Sequence, residues 1–171
     1  MSSPAQASSQ AIRALLRKLG KLYDIKRGLK PFSDNKDIYV LLRYFDDSCC
    51  YCGKNLLNCE WDKDHLIPMN KDSVGLHSWG NIVPSCKECN GKRQKKDWVL
   101  FLKEITGMKS EVFNQRKIKI DTYVSQYNYS LSVTLELAIL TNQLQIEVSE
   151  IVSKLINDKM QEAIDLFDKY L

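Results

Sequence analysis

The chain has no run of about 18 consecutive apolar residues, so a membrane span is not expected. Its first ten residues, MSSPAQASSQ, lack the basic-then-apolar layout of a secretory signal and read as a small, polar tail. Internal repeats and low-complexity stretches are also absent. Without an expected span or secretory signal, the protein is expected in the cytoplasm, where stable disulfides are rare and clustered cysteines more often hold metal. Histidine is scarce, at two residues, and both histidines lie in the segment that holds all six cysteines, between Cys49 and Cys89.

Charge is uneven. Residues 1–130 carry 22 Lys/Arg against 14 Asp/Glu, whereas residues 131–171 carry 3 against 7. A basic body with an acidic end suggests a polyanionic partner for the first part, although a charged face is also what solubility requires.

Apolar residues at Ile12, Leu15, Leu16, Leu19, Leu22 and Tyr23 predict a helix over 9–27, with Arg13, Arg17, Lys18, Lys21, Lys26 and Arg27 on its other face. Gly28 and Pro31 end it. A second helix fits 36–45. Residues 48–96 read as two short strands and loops, then a helix from about Lys87. Asp97 reads as the N-cap of another helix that Gly107 stops. Residues 131–139 alternate like a strand yet run into a helical repeat from Leu137 to Leu171, either one long helix or two with a break near Asn157. Its apolar face serves packing against the chain's own core, a dimer seam, or an arm for a protein partner. The expected organisation is a tail (1–10), a helical segment (11–47), a core (48–97) and a helical extension (98–171).

Within that core, Cys49-x-x-Cys52 and Cys86-x-x-Cys89 form two knuckles 33 residues apart. Each knuckle can offer two thiolates to two corners of a tetrahedron around Zn²⁺. Four thiolates leave no open position, so such a zinc holds the fold and performs no chemistry. Cys50 and Cys59 have no partner at this spacing and read as plain thiols.

Between the knuckles lies Asp64-His65-Leu-Ile-Pro68, then Gly80-Asn81-Ile-Val-Pro84, and Asn90 follows the last cysteine. Asp64 and Asn90 offer hard oxygen ligands suited to Mg²⁺ or Mn²⁺. His65 can take a proton from water near neutral pH. Adjacent strand residues point to opposite faces, so Asp64 and His65 serve one site only if the strand ends or distorts there.

These four pieces in order, C-x-Y-C-G, D-H-L-I-P, G-N-I-V-P and C-x-x-C-N, resemble the HNH family of nucleases, over less than a third of the chain. The resemblance implies a mainly α protein with a small α+β core, a zinc-stapled ββα-metal motif flanked by N-terminal and C-terminal helices. It implies a DNA endonuclease with one catalytic Mg²⁺ or Mn²⁺, in restriction or phage defence. Asp64 and Asn90 would hold that metal, His65 would be the general base, and Asn81 would hold the loop that orients it. Lys92, Arg93, Lys95 and Lys96 are candidates for phosphate contacts. His77 is a candidate either for packing beside Trp79 or for a DNA contact. The alternatives are a non-catalytic zinc-stabilised nucleic-acid-binding module, and a nuclease subunit of a larger complex.

Overall fold

A computed structural model describes residues 3–107, 111–130 and 134–170. The chain runs α1 (Pro4–Lys26), α2 (Ile38–Tyr44), β1 (Trp61–His65), β2 (Ile82–Cys86), α3 (Lys87–Arg93), α4 (Trp98–Thr106), α5 (Glu111–Gln126) and α6 (Thr134–Tyr170). β1 and β2 pair antiparallel, with Trp61 opposite Cys86 and His65 opposite Ile82. α3 follows β2 without a gap and packs on both strands. This is the expected ββα core flanked by helices.

α1 begins inside the segment expected as a polar tail (1–10). Ser3 and Gln6 form a capping box and Pro4 occupies the first turn, so the helix starts as soon as its backbone donors find acceptors. Asp97 caps α4 as expected, accepting from the amides of Val99 and Leu100, and Gly107 ends it with φ 77°. The strand-like residues 131–133 lie outside the described residues. From Thr134 the chain is one continuous helix, without a break near Asn157.

Two apolar clusters hold these elements. The larger surrounds the strands and joins Leu41 and Phe45 from the α2 region to Ile82 and Val83 of β2, Phe101 of α4 and Tyr123 of α5. The smaller brings Ile12 and Leu16 of α1 against Val74, Leu76 and Tyr129, with Leu137 and Leu144 of α6 alongside. A buried ionic group fixes α1 to the loop before β2. Asp24, wholly out of solvent, accepts from Arg27 (2.7 Å), the Ser78 hydroxyl (2.7 Å) and the Phe32 amide (2.9 Å). Close approach adds to this: a Cβ at Gly20 would sit 2.3 Å from the His77 carbonyl oxygen, so only glycine lets α1 lie directly on that loop.

Candidate active site and zinc centre

The ligand atoms of Cys49, Cys52, Cys86 and Cys89 all lie within 4.8 Å of one another. Zinc–sulfur bonds of about 2.3 Å in a tetrahedron place sulfurs about 3.8 Å apart, and the Cys52–Cys86 separation is 3.7 Å. Four thiols this close do not ionise together without a cation. The bond from the Cys89 thiol holds Cys49 down at about 4, while burial first of all pushes Cys52 up to about 11. The set fits structural Zn²⁺, which would supply the charge that allows all four thiolates. Cys50 lies outside this cluster, and burial raises its thiol well above the ordinary range. Cys59 donates its thiol to the Asn55 carbonyl instead.

β1 distributes its side chains as a strand must. Asp62 and Asp64 face α3, while Lys63 and His65 face the loop and α1 side. Asp64 is buried, and both its oxygens are occupied. Oδ2 accepts from the Tyr51 hydroxyl (2.8 Å), Oδ1 accepts from the His65 amide (2.7 Å), and Arg93 Nη1 reaches both oxygens (2.7 and 2.6 Å). Asn90 turns its amide nitrogen to Asp62 Oδ2 (2.9 Å), and Lys87 takes the other Asp62 oxygen (2.7 Å). Asp64 is thus paired with Arg93, and Asn90 with Asp62. Asp62, which belongs to none of the four motif pieces, is the acidic neighbour of Asn90. Its shared face with Asp64, two residues along a strand, was the available signal.

His65, the last residue of β1, is partly buried. Its Nε2 lies 3.0 Å from Nδ1 of His77, and His77 Nε2 lies 3.1 Å from Asp34 Oδ1. Burial, and then the field of His77, lower His65 to about 3, so its ring is neutral in ordinary buffers. His77 is also lowered, chiefly by burial. Asn81, wholly buried, clamps the loop after His65: Oδ1 accepts from the Ile67 amide (2.8 Å), and Nδ2 donates to the carbonyls of Ile67 (3.1 Å) and Leu76 (2.8 Å).

The expected phosphate contacts divide. Lys92, Lys95 and Lys96 are exposed. Arg93 is 1% exposed and donates to Asp64 and to the carbonyls of His65 (2.8 Å) and Leu66 (2.5 Å), so it cannot grip a phosphate. It sits on the inner face of α3, which a run of basic residues does not reveal. His77 is likewise buried, in edge contact with Phe32, and its ring nitrogens face protein groups. A groove of about 460 Å³ lined by Arg17, Lys18, Lys21 and Phe32 opens beside His77 and Asp34. It brings the basic face of α1 next to the histidines.

The four clustered cysteines, the two paired strands and α3 make a zinc-stapled ββα core. In agreement, residues 49–96 match the HNH endonuclease family model, and this segment is an HNH domain. Among curated proteins, the chain is similar to the Septu protein PtuB of Bacillus thuringiensis, 27% identical over 112 residues, 66% of this chain. The matched stretch spans 36% of that relative's length. No solved structure matches the chain. Among the described residues, no helix is long and apolar enough to cross a membrane.

Proposed function

We propose that this protein is an endonuclease that hydrolyses phosphodiester bonds in DNA, with His65 as the general base. The observation that carries this reading is a neutral imidazole at the end of β1, held beside the Asn81-clamped loop inside the HNH segment. His65 takes a proton from water, the resulting hydroxide attacks phosphorus in line, and the P–O bond to the 3′ oxygen breaks, that oxygen taking a proton from solvent. The products are a 5′-phosphate and a 3′-hydroxyl. Lys92, Lys95, Lys96 and the Arg17–Lys18–Lys21 groove hold flanking phosphates, a sequence-independent grip that weakens with salt. The family resemblance implies dependence on Mg²⁺ or Mn²⁺, and in this structure Arg93 occupies both Asp64 oxygens.

The protein works in the cytoplasm, in restriction or phage defence, as the family resemblance and the likeness to a Septu protein suggest. The exposed apolar side chains along α6, Ile146, Ile151, Leu155 and Met160 among them, support a self-association seam or a protein partner there.

One observation favours the second reading, a nucleic-acid-binding module without catalysis: the Asp64–Arg93 pair closes the carboxylate that would hold a metal. Incubating zinc-loaded protein with supercoiled plasmid and Mg²⁺ or Mn²⁺, beside His65→Ala and an EDTA control, separates the two. Nicking by wild type alone supports the nuclease. DNA binding without nicking, by folded and zinc-loaded protein, supports the module.

A further inference from the structure

Asp34 lies between α1 and α2, outside every motif, yet it is the charged end of a chain that reaches His65. A carboxylate only accepts hydrogen bonds, so the ring nitrogen 3.1 Å from Asp34 Oδ1, Nε2 of His77, carries a proton. Neutral His77 then has a bare Nδ1. The atom 3.0 Å from that lone pair, Nε2 of His65, must be the donor. A neutral imidazole holds one such proton, so His65 Nδ1 is bare, and it has no hydrogen-bond partner among the described residues.

We propose that Asp34 and His77 are positioning residues for His65, fixing it as the Nε2–H tautomer so that Nδ1 receives the proton from water. The inference rests on the reading of His65 as the general base. When water gives its proton to Nδ1, His65 becomes an imidazolium. Its Nε2–H still donates to His77, whose opposite nitrogen remains on the Asp34 charge, so the chain stabilises the cation without losing a proton. A carboxylate behind a histidine serves this orienting purpose in hydrolases of other folds.

The surroundings favour this polarity over the reverse. Lys63 Nζ lies 3.1 Å from Asp34 Oδ1 and Arg17 Nη1 lies 3.2 Å from Oδ2. Burial works to raise the Asp34 carboxyl, but the bond from Lys63 and the charges of Lys63 and Arg17 work the other way, and on balance it is lowered. Arg17 Nη1 also lies 3.2 Å from His77 Nε2. Were it to donate there, a bare Nε2 would face the carboxylate at 3.1 Å, acceptor against acceptor. Arg17 is half-exposed and has Asp34 Oδ2 as its partner.

The chain has two histidines, so ¹⁵N-histidine NMR of the zinc-loaded protein assigns both rings cleanly. The expected wild-type spectrum shows His65 protonated at Nε2 and bare at Nδ1. His77→Phe keeps an aromatic ring against Phe32 but removes the acceptor. It should mix the His65 tautomers and lower kcat for plasmid cleavage at least about tenfold, with KM within about twofold. His77→Asn, whose side-chain oxygen can stand in for Nδ1, should restore most of the rate. Asp34→Asn, at a more exposed position, should lower kcat similarly and carries the test should His77→Phe lose zinc. His65 protonated at Nδ1 in the wild type overturns the proposal. So does wild-type kcat in both His77→Phe and Asp34→Asn while His65→Ala is inactive, an outcome that leaves the base assignment standing. Cleavage by His65→Ala at the wild-type rate overturns the base assignment and this proposal with it.

Discussion

Arg93 and Asp64 face each other almost entirely out of water, at 1% and 9% side-chain exposure. Breaking a buried pair from one side leaves an uncompensated charge, which typically costs about 3–5 kcal/mol. Arg93→Met should therefore lower unfolding free energy by that order in urea titrations, and adding Asp64→Leu should recover much of it. A loss in Arg93→Met near zero would mean that the pair does not form. The histidines give a second prediction at this scale. His65 falls from an ordinary 6.5 to about 3 on folding, so between those values the unfolded chain binds a proton that the native state refuses. Its contribution to stability is complete above about pH 6.5 and is lost progressively as pH falls toward 3. The melting temperature of His65→Gln should thus fall less than that of wild type between pH 7.5 and 5. Parallel slopes would show that His65 is not buried neutral.

Among the secondary elements, the zinc staple and the α1 contact set the geometry of the site. Serine at Cys49, Cys52, Cys86 or Cys89 should drop bound zinc below one per chain by elemental analysis, while serine at Cys50 or Cys59 should leave it at one. Loss of zinc from Cys50→Ser would move the ligand assignment. Gly20→Ala raises helix propensity, yet its Cβ would meet the His77 carbonyl at 2.3 Å. It should destabilise the protein by about 1–3 kcal/mol, because overpacking against backbone outweighs the propensity gain. A stabilised variant would show that α1 does not press on that loop. Much at this scale was legible from residues alone: knuckle spacing located the four-cysteine cluster, apolar spacing gave most of α1, and Asp97 announced α4. α5 was not, because its pattern is weak and its basic residues are spent on tertiary contacts. Arg116 donates to the Tyr51 carbonyl and Lys119 pairs with Asp46, pinning α5 to the first knuckle. The link from Asp34 to His77 was equally hidden, since 43 residues separate them and no motif contains Asp34.

Taken whole, the molecule is a small ββα core flanked by helices, with α6 extending beyond what it covers. Leu137, Ala138 and Leu144 pack against the smaller cluster, whereas Ile151, Leu155, Met160 and Ile164 are 44–66% exposed. Periodicity showed an amphipathic helix there but not where its buried half stops, because a core contact and a partner contact demand the same spacing. Removing residues 151–171 should leave zinc content and melting temperature unchanged while abolishing any concentration-dependent mass seen by light scattering. A large fall in melting temperature would place that half of α6 in the chain's own core.

His65, as the proposed general base, would do chemistry on a bound nucleic acid. The most direct test measures binding and cleavage of one labelled duplex by wild type and His65→Ala, both zinc-loaded, with Mg²⁺ or Mn²⁺ present. The expected result is equal affinity, with the single-turnover rate reduced at least about a hundredfold in the variant. Equal rates in the two proteins, or tight binding by wild type with no cleavage, would contradict it.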